Sequence, residues 1–178
     1  DYPYIMGRWG LSANYLYTEN KEFGYLSTNN KLLFYKDPNE KVVFDQHRAS
    51  LTLSHRTSPY LTQLLRLEYT RAHVIDTIAT TLNPKFLGEK NTTILPYFYI
   101  NYNLIWNRTT YPLYPTNGYR LELNVRKDGL NIGLSPIDNL SSSLDIEYHL
   151  PIGNRWILSN RVKGKFYFIN NGIPYFLY

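Results

Sequence analysis

The chain of 178 residues contains no cysteine and only one methionine. Without thiols there are no disulfides and no cysteine-ligated metal, a composition compatible with many compartments. No run approaches roughly 18 apolar residues, so no membrane-spanning helix is expected. Strands remain open as membrane elements, because a transmembrane barrel spends about 9–11 residues per crossing and announces itself only by alternation. The opening, DYPYIMGRWG, lacks the basic start and apolar core of a secretory leader. If exported, the protein is expected in a mature or shortened form. Lysine and arginine exceed aspartate and glutamate by 19 to 14, but they are spread singly and form no block, so nucleic acid is not an expected partner. There is no nucleophile motif and no glycine-rich phosphate loop. His47, His55, His73 and His149 do not converge in sequence and read as structural or solvated side chains. No enzymatic activity, cofactor or metal is expected.

What the chain does have is aromatic residues, 16% of the total with 18 tyrosines, and alternation. The pattern is clearest over residues 94–107. One parity carries Ile94, Pro96, Phe98, Ile100, Tyr102, Leu104 and Trp106; the other carries Leu95, Tyr97, Tyr99, Asn101, Asn103, Ile105 and Asn107. Successive strand side chains point to opposite faces, so this is a strand with an apolar and a polar face. A turn rich in Pro, Thr, Asn and Gly follows. Alternation then resumes, with Tyr119, Leu121, Leu123 and Val125 opposite Arg120, Glu122, Asn124 and Arg126.

The same reading predicts strands over 8–19, 43–56, 61–74, 144–150 and 155–169, and a poorer one within 23–36 interrupted by Asn29, Asn30 and Lys31. That makes about eight strands and no helix, most of them longer than the 5–6 residues usual in soluble sheets. Short turns are expected near 21, 58 and 152. Longer loops are expected at 37–42, 75–93 and 129–141, the last within a polar loop stretch over 127–141, with 107–118 long for its side. Short turns at one end and long loops at the other are the layout of outer-membrane barrels.

Charge placement strengthens this picture. Arg48, Arg56, Arg66, Glu68, Arg120, Glu122, Arg126, Asp145, Glu147, Arg161, Lys163 and Lys165 all fall on the polar parity of their strands. In a soluble sandwich the apolar parity is a shared core and the charges face water. In a membrane barrel the apolar parity faces lipid and the charges line a wet lumen, and alternation alone does not separate the two. Strand length favours the barrel, as do Trp9, Trp106, Trp156, Tyr119 and Phe168, which lie near strand ends on the apolar side where aromatic girdles sit. The fold expected is therefore all-β, a transmembrane antiparallel up-and-down barrel. Arg120, Glu122, Asp145, Glu147, Arg161, Lys163 and Lys165 are its candidate lumen charges.

The run YNLIWNRTTYPLYPTNGYRLEL, residues 102–123, resembles the barrel of the bacterial surface-antigen superfamily, the BamA/TamA-type outer-membrane proteins. The strand end Asn107-Arg108 and the turn from Pro115 to Gly118 are similar to that family's turn motif, though an acidic residue often stands where this chain has Asn107. Residues 148–152, YHLPI, look like its next periplasmic turn. Ile173, Pro174, Tyr175 and Phe176 look like the entry to its long lumen-entering loop, but the glycine-rich and Arg-Gly-aromatic signature expected after them is not within these 178 residues. The resemblance implies about eight middle strands of a barrel of about 16, with the closing strands and periplasmic POTRA domains outside the sequence. It further implies a bacterial outer-membrane factor that inserts or exports client proteins without chemical catalysis. Its partners would be outer-membrane lipids, client outer-membrane or secreted proteins, and accessory lipoproteins or periplasmic subunits. The same barrel type serves patatin-fused and two-partner-secretion transporters. A small pore or structural barrel, with residues 175–178 as an aromatic terminal signal, is a further reading, as is a soluble β-sandwich binding module.

Overall fold

The structure, a computed structural model, describes residues 2–5, 8–29, 31–39, 41–110, 113–130, 137–153 and 155–171. Ten strands follow one another: β1 (Tyr2–Ile5), β2 (Trp9–Asn20), β3 (Glu22–Thr28), β4 (Lys31–Lys36), β5 (Phe44–Ser58), β6 (Leu61–Val74), β7 (Ile94–Asn107), β8 (Gly118–Asp128), β9 (Asp138–Ile152) and β10 (Trp156–Asn171). Eight of them form one antiparallel sheet in the order β1-β2-β5-β6-β7-β8-β9-β10, and β3 and β4 pair separately. The main sheet is an up-and-down meander in which each strand pairs with the next. It is open: β1 and β10 are its edges, and no closed barrel is seen among the described residues.

Two expected elements differ, and two more, β1 and a π-helical turn over Ile78–Leu82, stand where no element is expected. The poor pattern over 23–36 is not one strand of the sheet but the hairpin β3–β4, turning at Asn29, whose φ of 51° lies in the left-handed region that asparagine tolerates. The turn expected near residue 21 therefore opens a long excursion over 21–43 rather than closing a hairpin. Likewise the loop expected at 127–141 shrinks to 129–137, because β8 continues through Asp128 and β9 begins at Asp138. With these corrections the layout is cleaner than the sequence suggested. Long connections over 21–43, 75–93 and 129–137 gather at one end of the sheet, the loop end. Short ones at 59–60 and 153–155, with the longer 108–117, gather at the other, the turn end.

The two faces have separate residue sets, and the pairing register keeps them separate across the sheet. One row on the inner face runs Asn14, Ser50, Glu68, Tyr99, Asp128. An outer row runs His55, Gln63, Leu104, Leu123, Leu144, Gly164. That outer row starts at the polar margin of β5 and β6 and ends in the middle of β10. The outward apolar residues of β10 continue from there to Trp156, interrupted by Asn160. A drift of about eight residues along the strand across five strand spacings, at about 3.4 Å and 4.8 Å each, sets the strands on the order of 45° from the axis of the apolar band.

The buried core does not lie on the apolar face. Phe44, Ala72, Val74, Leu95, Tyr97, Tyr99 and Ile137 point from the inner face at the loop end, and Val43, Ile78, Ala79, Phe86 and Leu87 fold over them. The segment 75–93 enters through a π-helical turn, Ile78–Leu82, marked by the Asn83 N–H donating to the Ile78 carbonyl at 2.8 Å. Its apolar positions 75, 78, 79 and 82 have helical spacing, which fixes one side of that turn against the sheet. Phe23 of the hairpin stacks on Phe44 at 4.3 Å between ring centres and meets Phe86 edge-on at 5.9 Å. The Asn83 side-chain amide donates to the Tyr25 carbonyl at 2.7 Å, tying the loop to the hairpin. The outer face, by contrast, is uncovered: Leu51, Leu53, Leu65, Leu67, Ile100, Ile146 and Leu158 are all exposed.

Candidate functional site

The sequence singled out a turn and a set of inner-face charges, and the sheet brings each group together at a different height. At the turn end, the Asn107 side-chain carbonyl accepts from the Thr109 N–H at 3.0 Å and the Thr109 hydroxyl at 2.7 Å, an Asx turn that stops β7. The Arg108 N–H donates to the Tyr119 carbonyl at 2.9 Å, and the Thr110 N–H to the Asn117 carbonyl at 2.9 Å. Gly118 starts β8 at φ 108°, and a Cβ there would stand 2.1 Å from the Arg108 carbonyl oxygen. Only glycine fits, because both the backbone angle and the close approach exclude a side chain. The Arg108 guanidinium lies 5.0 Å from the centre of the Tyr60 ring, reaching the neighbouring β5–β6 turn. Asn107, Arg108 and Gly118 thus form one compact hairpin, with Pro115 within its connection. Ile173, Pro174, Tyr175 and Phe176 lie outside the described residues.

On the inner wall of β8–β10, Arg120 donates to Glu122 on its own strand at 2.9 Å, and Asn103 of β7 donates to the other Glu122 oxygen at 3.2 Å. Arg161 grips Asp145 with two parallel bonds, Nε at 2.9 Å and Nη2 at 2.6 Å. Such forked pairs fix direction as well as charge. Lys163 stands 3.7 Å from the same carboxylate. Glu147 meets His149 Nε2 at 3.0 Å, and His149 Nδ1 meets the Ser159 hydroxyl at 2.9 Å, so this histidine has a structural role. Lys165 extends over the Tyr167 ring at 4.7 Å and has no carboxylate within ion-pair distance among the described residues. Arg161 thus pairs with Asp145 across β9 and β10, whereas Arg120 takes Glu122 on its own strand.

The candidate lumen charges leave out the two most buried strand carboxylates, Asp128 and Glu68, the latter placed on the polar parity but not singled out. Glu68, 3% exposed, is held by Arg66 at 2.5 Å and by the Thr70 hydroxyl at 3.3 Å. Asp128, 4% exposed, accepts from Arg126 at 2.7 Å and from the Asn139 amide at 2.9 Å, while Arg126 lies 4.0 Å from the centre of the Tyr99 ring. Both sit under the loop-end cluster, where a carboxylate without its arginine would be an uncompensated charge. A signal was present. Arg66-x-Glu68, Arg120-x-Glu122 and Arg126-x-Asp128 repeat one spacing that puts both groups on one face of a strand.

Among the described residues this arrangement is a wall of charges and amides paired with one another. Among the described residues no group of three or more His, Asp or Glu side chains is placed to hold a metal. No helix among them is long and apolar enough to cross a membrane, which says nothing of strands. No protein-family model matches the chain, and no curated protein matches it.

Proposed function

We propose that this chain is a section of the wall of a bacterial outer-membrane β-barrel of the BamA/TamA type, serving the insertion or export of other proteins without covalent chemistry. The observation that carries the reading is the position of the core. A soluble sandwich buries its apolar parity under a second sheet. Here the buried cluster sits on the polar-parity face at one end, and the long apolar parity is left bare among the described residues. A bare apolar face of this extent needs an apolar solvent, and lipid supplies one.

Three further features support the reading. The tilt of about 45° is that of membrane-spanning strands. Charges of the outer face, Glu19, Asp45, Arg71, Lys127 and Asp138, are confined to its loop end. Trp9, Trp106, Tyr119 and Trp156 gather at its turn end, as interfacial aromatics do, with Trp9 stacked on His55 at 4.0 Å and Trp106 edge-on to Tyr119 at 5.3 Å. An open sheet with free edges β1 and β10 fits a part of a larger barrel better than a complete eight-stranded one. The apolar loop-end cluster over the inner face fits a capped lumen better than an open pore.

In this mechanism the inner wall stays wet and paired, the outer face meets outer-membrane lipid, and client strands add edge to edge where such a barrel parts. Periplasmic subunits or accessory lipoproteins would meet the turn end. The test is twofold. The native protein carrying this sequence is expected to require detergent for extraction, to show heat-modifiable mobility, and to accelerate the folding of an unfolded outer-membrane client into liposomes. Extraction into buffer alone overturns the membrane reading. Heat-modifiable protein that leaves client folding unchanged overturns the assembly role and leaves a structural barrel.

A further inference from the structure

On the outer face a shallow groove of about 450 Å³ crosses β2, β5, β6 and β7. Ala13 and Ala49 form its floor where neighbouring strands carry larger side chains, and Leu51, Leu67, Tyr69 and Phe98 form its walls. Tyr69 and Phe98 meet at 4.9 Å between ring centres, making a continuous aromatic side. The register places the next outward row toward the loop end directly above it: Tyr17, His47, Arg71 and Pro96. Beyond that lies Glu19, Asp45, His73 and Ile94.

The charges in these two rows are not equivalent. Asp45 is taken by His73 at 2.6 Å, with His47 Nε2 at 3.9 Å from its other oxygen. Glu19 accepts from the Tyr17 hydroxyl at 3.0 Å. His47 Nδ1 lies 2.7 Å from the Tyr15 hydroxyl, at the groove's own margin. Both acids are thus engaged by other residues. Arg71 is exposed and has no carboxylate within ion-pair distance among the described residues. It stands two residues from Tyr69, about 7 Å along the strand. An apolar trough ending beneath a guanidinium matches a molecule with a hydrocarbon chain below and an oxyanion above. Arginine is the side chain that grips phosphate in a fork.

We propose that this groove is a binding site for an anionic phosphate-bearing membrane lipid, with one acyl chain lying over Ala13 and Ala49 and the phosphate held by Arg71 beside His47. The inference rests on the reading that the outer face meets lipid, and adds that one place on that face prefers one headgroup charge.

The test uses the native protein in detergent and native mass spectrometry with phosphatidylglycerol and phosphatidylcholine of matched chains as probes. Heat-modifiable mobility serves as the check of folding. The wild type is expected to retain phosphatidylglycerol several-fold over phosphatidylcholine. Ala49→Phe fills the trough and is expected to lower retention of both lipids at least fivefold, with Ala13→Leu as a second filler from the adjacent strand. Arg71→Gln, an exposed change, is expected to keep retention but erase the preference. Leu123→Phe, outside the groove, is the control and should change neither. Folded groove variants that retain lipid as the wild type does, or a preference that survives Arg71→Gln, overturn the site. If neither filler folds, Arg71→Gln alone decides. A wild type extracted by buffer alone overturns the site together with the membrane reading; a detergent-requiring wild type with no lipid preference overturns the site only.

Discussion

Apolar side chains in this chain occupy two places with opposite fates. At the loop end of the inner face they are buried under folded loops; across the outer face they are bare. The contrast runs through a single strand. On β7, Leu95 is 1% exposed and Tyr97 3%, while Ile94 is 41% exposed and Trp106 40%. Leu95 and Tyr97 belong to the parity that also carries Asn101 and Asn103, and Ile94 and Trp106 belong to the uncharged, nearly all-apolar parity. Hydrophobic pattern therefore tells which residues share a face, and the surroundings tell which face is covered. The buried cluster needs only the chain itself. The outer band is covered by nothing among the described residues, which is why it carries the functional proposal.

Four variants test this contrast, taken in descending order of expected cost. Phe86→Ala opens a cavity in the middle of the loop-end cluster and is expected to cost about 3–5 kcal/mol. Denaturant unfolding in detergent measures it, and Phe166→Ala on the exposed face of β10 is the matched comparison with a much smaller cost. Equal costs would mean that the two regions are not different environments. Leu67→Arg places a charge in the centre of the outer band. In lipid it is expected to destabilise by about 2–4 kcal/mol, measured by folding into liposomes. In water an exposed arginine on a sheet costs little, and a null effect would place this face in water.

Gly118→Ala probes the turn end, which depends on neither region. A left-handed backbone angle and the approach of the Arg108 carbonyl predict a loss on the order of 2 kcal/mol. Unfolding of the variant should leave the loop-end cluster's response to Phe86→Ala unchanged, since distant sites add. The double substitution Lys163→Ala with Lys165→Ala is expected to leave stability nearly unchanged, because both side chains are exposed on the inner wall. Its effect should appear in barrel assembly and client folding if these lysines hold an acidic segment inside the lumen. Unchanged assembly, heat-modifiability and client folding would reduce them to hydration of the wall.

Much of this was legible before the structure. The strands expected over 61–74 and 94–107 are β6 and β7 to the residue. Every strand charge assigned to the polar parity lies on the inner face, and the Asn107–Gly118 connection is one hairpin. Apart from β1, too short to show a period, the misses share a cause. The hairpin β3–β4, the π-helical turn and the continuation of β8 to Asp128 all lie where strands leave the sheet. There the side chains pack on other loops and the period of two fades. Asp128 and Asn139 looked like polar loop residues, yet their mutual hydrogen bond and the cover of Ile137 make them strand residues under a roof.

Side-chain alternation is a local property of an extended backbone, so the long strands, their two faces and the side on which the charges stand follow from the order of residues alone. Which face is covered, where the core forms on the polar-parity face, and the absence of a closed barrel among the described residues are set by the tertiary structure. Those outcomes depend on contacts between segments far apart in the chain, such as Phe23 with Phe86 and Asn83 with Tyr25. A pattern of period two carries no information about them.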